Sequence, residues 1–86
     1  MPELSRFFGI IITMYWSDHQ PPHFHARYGD QEVTVEIATG RILKGTFSAR
    51  ARKLVQEWYL LHQAELQECW DLAQKDQPLK KIQPLD

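Results

Sequence analysis

At 86 residues the chain has room for one domain with one core, and 43% hydrophobic against 24% charged residues excludes a disordered or fibrous chain. A formal charge of −1 excludes a global pull toward nucleic acid or an acidic membrane, and a single cysteine, Cys69, excludes an intrachain disulfide. The most apolar run, Phe7 to Ile12, is too short to cross a bilayer and follows no charged leader with a cleavage site; a cytoplasmic location and no membrane partner are expected.

The first element, FFGIIITMYW (Phe7 to Trp16), is β-branched and aromatic, which predicts a strand buried on both faces. SDHQPPH follows as a loop, because Pro21 and Pro22 lack amide donors and force extended backbone on the residues before them. In HFHARYGDQEVTVEI the polarity alternates. Phe24, Ala26 and Tyr28 share one parity, and His23, His25 and Arg27 the other; Val33, Val35 and Ile37 alternate with Glu32, Thr34 and Glu36. A two-residue turn at Gly29-Asp30 sets Ala26 opposite Val33, Phe24 opposite Val35, His25 opposite Thr34, Arg27 opposite Glu32 and His23 opposite Glu36. Apolar then meets apolar and polar meets polar, and a slip of one residue scrambles both faces.

ATG (Ala38 to Gly40) is a second turn, and RILKG a short strand ended by Gly45. Ser48 is a helix N-cap, worth roughly 1 kcal/mol. Beyond it Ala51, Leu54, Val55, Trp58, Leu61, His62, Leu66, Cys69, Trp70 and Ala73 recur at helical spacing, with a break expected near His62. The expected fold is α+β: an antiparallel sheet of three or four strands (about 7–16, 23–28, 32–37 and 41–45) against a long C-terminal helix or helical hairpin (about 48–74). A tail, 78–86, docks on the domain through Leu79, Ile82 and Leu85.

Three of the chain's four histidines fall between Asp18 and Asp30. On the register above, His23, His25 and Arg27 form a row on the exposed sheet face, bordered by Thr13 or Tyr15. Imidazole titrates nearest neutral pH, so such a pair can divide proton donation and acceptance. RNA cleavage needs those two roles and a cation on the phosphate. His25 is then the base, His23 the acid favoured by Glu36 across the ladder, and Arg27 the phosphate holder. This chemistry calls for no metal and no cofactor. Two other readings of the row remain open: a metal site completed by Asp18 or Glu36, and a solvated polar face without chemistry.

Arg41, Lys44, Arg50, Arg52 and Lys53 follow one another with no acidic residue among them, whereas Glu57, Glu65, Glu68 and Asp71 come after. Cations in a helix's first turns oppose its dipole, so the run reads either as a surface for phosphate or an acidic partner, or as a solvated face. Tyr59, Leu60 and Leu61 widen the apolar arc beyond what one sheet face needs. Burial against a partner subunit, a second copy included, is one explanation. Cys69, on the inner stripe without a neighbouring base, reads as packing, and His62 as a helix-break histidine.

The DHQPPHFHARYG block, the GRILKG turn and the W…LH…EL…W helix resemble domain-of-unknown-function family 4160, over nearly the whole chain. Members are small bacterial proteins, regarded as the toxins of type II toxin–antitoxin pairs whose partner is a small protein of family 2442. The resemblance implies a cognate antitoxin and singles out Asp18, His19, Pro22, His23, Phe24, His25 and Tyr28, without catalytic roles. GDQEVTVEIATGRILKGTFSARARKL is also similar to the strand–strand–helix segment of HicA-type mRNA interferases. The function expected is therefore a toxin that binds or cuts RNA. His23, His25 and Arg27 are the expected catalytic residues; Asp18, His19, Tyr28, Arg41, Lys44, Arg50, Arg52 and Lys53 are expected to hold substrate. The rivals are a non-catalytic interaction module and a small metal-binding protein.

Overall fold

The computed structural model describes residues 2–86. Five strands run in sequence order as one antiparallel meander: β1 (Glu3–Phe7), β2 (Ile10–Thr13), β3 (His23–Tyr28), β4 (Gln31–Glu36) and β5 (Ile42–Gly45). A single helix, α1 (Ala49–Gln74), crosses one face of the sheet. The architecture is α+β, with five strands where three or four are expected.

The extra strand arises because the first apolar run is a hairpin, not one strand. Phe7 pairs with Ile10, leaving Phe8-Gly9 as a two-residue turn in which both residues have positive φ, +49° and +82°. That geometry suits the twist of a tight hairpin but is unusual for phenylalanine. Phe8 stands 51% exposed at the tip, so apolar composition here conceals a turn.

β3 and β4 pair in the register that their alternation predicts, from His23 opposite Glu36 to Tyr28 opposite Gln31. Ile10 and Ile12 of β2, Phe24 and Ala26 of β3, and Val33 and Val35 of β4 are all buried on the helix side. Trp58 fills the middle of this core, 5.5 Å from the Phe7 ring and edge-on to Phe24 at 5.8 Å. Between β4 and β5 the ladder skips a residue: Thr34 pairs with Lys44 but Val35 with Ile42, so Leu43 bulges. Gly45 then ends β5 at φ +87°, where a Cβ would run into the Glu32 carbonyl oxygen.

Ser48 caps α1, its Oγ accepting from the Ala51 amide at 3.2 Å. The helix continues to Gln74 but bends at His62, whose backbone (φ −129°, ψ 22°) leaves the helical region. It is thus one bent helix and not a hairpin. The first half lays Trp58 on the sheet centre, and the second carries Trp70 to within 5.2 Å of the His23 ring at the start of β3. The tail runs back along the opposite edge. There the Ile82 amide donates to the Leu4 carbonyl, and Trp58 Nε1 donates to the Gln83 carbonyl.

Candidate functional site

The β2–β3 loop is held against the C-terminal end of α1. Trp16 Nε1 donates to the Gln77 carbonyl, the Ser17 amide to the Ala73 carbonyl, and the Ser17 hydroxyl to Asp76. Gln74 donates to the Asp18 carbonyl at 3.2 Å. These ties place the Asp18 side chain beside the start of β3. The Gln20–Pro21 peptide within the loop is cis.

Asp18 Oδ2 sits between two imidazoles, 2.9 Å from His23 Nε2 and 3.6 Å from His25 Nε2. The two rings share one side of β3, with centroids 5.1 Å apart and planes nearly perpendicular. His23 is only 3% exposed, closed in by Trp70 and the loop. Its Nδ1–H donates to the Pro21 carbonyl at 2.7 Å. Both ring nitrogens of His23 thus face oxygen atoms, the Pro21 carbonyl and the Asp18 carboxylate.

His25 lies one register step further along. Thr13 pairs with it from β2, Thr34 from β4, and the Tyr15 ring meets it edge-on at 4.7 Å. Its Nδ1 lies 3.5 Å from Thr34 Oγ1 and 3.7 Å from Glu32 Oε2. Its Nε2 is buried and has no hydrogen-bond partner. Burial, and then the charge of His23, lower the His25 pKa against the opposing pull of Asp18 and Glu32, so the ring is neutral at physiological pH. Burial alone would raise the Asp18 pKa. The His19 amide and the two imidazoles outweigh it, the net shift is downward, and Asp18 is a carboxylate.

These groups open onto a cleft of about 380 Å³ lined by Tyr15, Asp18, His19, Pro21, His23, His25, Thr34, Leu43 and Lys44. The bulge brings Leu43 to this outer face beside Lys44, which pairs with Thr34, the β4 residue opposite His25. His19 is at the mouth with its ring in solvent, its amide donating to Asp18 Oδ1.

The other expected residues lie elsewhere. Arg27 has the parity of the histidines but sits near the far end of β3, exposed and outside the cleft. Tyr28 packs its ring toward Phe47 on the helix side. Arg41, Arg52 and Lys53 line a second, larger groove of about 640 Å³ with Ile42 and Gln56, while Arg50 is exposed in the first turn of α1. Among the described residues, none of Arg27, Arg41, Lys44, Arg50, Arg52 and Lys53 is in an ion pair. The expectation that His23 stands exposed as the acid, governed by Glu36, is overturned. His23 is sealed, its carboxylate partner is Asp18, and Glu36 accepts instead from Thr39. Sequence reasoning did not place Lys44 beside the histidines, because only the β4–β5 bulge puts it there.

The family described as "Domain of unknown function (DUF4160)" matches residues 9–71. The chain belongs to this family. The matched span includes the whole Asp18–His23–His25 cluster and most of α1. No curated protein and no solved structure matches the chain. Among the described residues, no helix is long and apolar enough to cross a membrane.

Proposed function

We propose that this DUF4160 chain is the toxin half of a bacterial type II toxin–antitoxin pair, acting in the cytoplasm, and that it cleaves RNA in the Asp18–His25–Lys44 cleft. The observation that carries this reading is one concave surface lined by His25, a ring whose buried Nε2 has no hydrogen-bond partner, and by Lys44, a cation without a counter-ion. Attack on a phosphodiester needs both, a lone pair to activate the attacking oxygen and a positive charge to hold the phosphate.

The division of labour differs from the row of three read in the sequence. His25 supplies the lone pair and Lys44, rather than Arg27, holds the phosphate. His23, closed off from any substrate, positions Asp18 and His25. The unpaired cations of the neighbouring groove, Arg41, Arg52 and Lys53, guide the RNA backbone by charge. An antitoxin with an acidic segment neutralises the same surface.

A second reading, an interaction module without chemistry, draws on Leu60 and Leu61. They are 71% and 68% exposed on the outer side of α1, beside Ile37 and Ala38, and suit a partner protein or a second copy of the chain.

Induced expression of the chain in a bacterial host without its partner separates the two. The parent is expected to arrest growth and fragment RNA, whereas His25→Ala and Lys44→Ala relieve both effects and Arg27→Ala changes them less than threefold. If the His25 and Lys44 variants arrest growth as the parent does, or the parent leaves RNA intact, cleavage in this cleft is wrong.

A further inference from the structure

We infer that the cleft binds one divalent transition-metal ion of the zinc or iron(II) type, held by Asp18 Oδ2, His23 Nε2 and His25 Nε2. One donor atom from each residue lies within 4.8 Å of the other two. The separations of 2.9 and 3.6 Å from the carboxylate oxygen to the two nitrogens bracket the roughly 3.3 Å expected between ligands of a tetrahedral zinc ion. Two imidazoles and one carboxylate favour zinc and its neighbours over calcium or magnesium, which take oxygen ligands.

Three further observations support the assignment. His25 Nε2 is buried without a partner, and a metal ion supplies one. His23 donates its Nδ1 proton to the Pro21 carbonyl, the outer-sphere bond that fixes a metal-binding imidazole with Nε2 free. Without a cation, that Nε2 and the Asp18 carboxylate oxygen meet directly at 2.9 Å. With one, both lone pairs point at a common centre. The scaffold is also set in advance: the histidines are alternate residues of a central strand, and Ser17 and Gln74 tie the Asp18 loop to the helix end.

Three protein ligands leave a position open toward the cleft, where Lys44 and Thr34 wait beside it. The inference rests on the reading of this cleft as the reactive site and refines it. With an ion bound, the His25 lone pair would serve as a ligand rather than as the base, and the ion held by Asp18, His23 and His25 would supply the polarisation that activates the attacking oxygen. Metal binding itself is measured without any substrate.

The test uses the full chain without an affinity tag, stripped by chelator and titrated with Zn²⁺ against a chromophoric competitor, and in parallel with Co²⁺. The parent is expected to bind one equivalent of Zn²⁺ and to give the visible absorption of Co²⁺ in a low-symmetry N/O site. Asp18→Asn, which keeps the shape of the loop residue, and His25→Ala each weaken Zn²⁺ by at least about tenfold, whereas His62→Ala changes it less than threefold. Circular dichroism verifies that each variant is folded, and the near-isosteric Asp18→Asn carries the test if His25→Ala is not.

A parent that takes up no Zn²⁺, or a folded Asp18→Asn that binds it as the parent does, overturns the inference. A chain that binds zinc but never cleaves RNA keeps the metal site and removes the RNA reading. A chain that cleaves RNA at full rate after metal removal keeps the RNA reading and overturns the metal's part in the reaction, while the Zn²⁺ titration alone decides the site.

Discussion

On the inner side of the β3–β4 ladder, Phe24, Ala26, Val33 and Val35 meet the helix; on the outer side of the same strands, His25 and Thr34 line a cleft beside Lys44 of β5. Successive side chains alternate across a sheet, so a single pair of strands holds the core with one set of residues and offers chemistry with the other. His23 departs from this division. It has outward parity, yet Trp70 and the Asp18 loop fold over the end of the sheet and bury it. The lesson is that parity decides which face a residue joins, whereas coverage by distant segments decides whether that face is open.

The contrast predicts separable effects of substitution. Trp58→Ala removes the residue on which Phe7 and Phe24 pack and should lower unfolding stability by about 3–5 kcal/mol. Urea denaturation of the variant measures this, and a loss below about 1 kcal/mol would mean that the inner face is not the source of stability.

His23 and His25 sharpen the comparison within one strand. His23→Ala deletes a buried ring with two hydrogen-bonded nitrogens and should cost about 2 kcal/mol. His25→Ala removes a ring nitrogen that has no partner and should cost under about 1 kcal/mol. Both values are to be measured on metal-stripped protein, because a bound ion would add its own stabilisation to each. Equal losses would show that the two histidines do the same structural work.

The smallest effect concerns Cys69, buried on the inner stripe. Burial pushes its pKa up, so at any pH below that raised value less of it is thiolate than of an exposed cysteine. Alkylation of the native chain should therefore be slower than that of a free thiol at pH 7 to 8, and should become rapid in urea. A fast native reaction would mean that the inner face opens readily.

Much of this was written in local patterns. Period-two polarity on both sides of Gly29-Asp30 admits one register, because any slip carries apolar side chains into water. The helical stripe and the Ser48 cap likewise depend on neighbours a few residues apart. Phe8-Gly9 shows the limit of composition, since a turn built on phenylalanine looks like strand. Tertiary structure alone decided that Asp18 meets both histidines, that His23 is sealed, and that Lys44 rather than Arg27 shares their cleft. Each of these depends on elements remote in sequence: the end of α1 that ties down the loop, and a bulge that shifts β5 by one residue. Side-chain periodicity is set by local backbone geometry. Depth and convergence are set by which distant surfaces come to rest on one another.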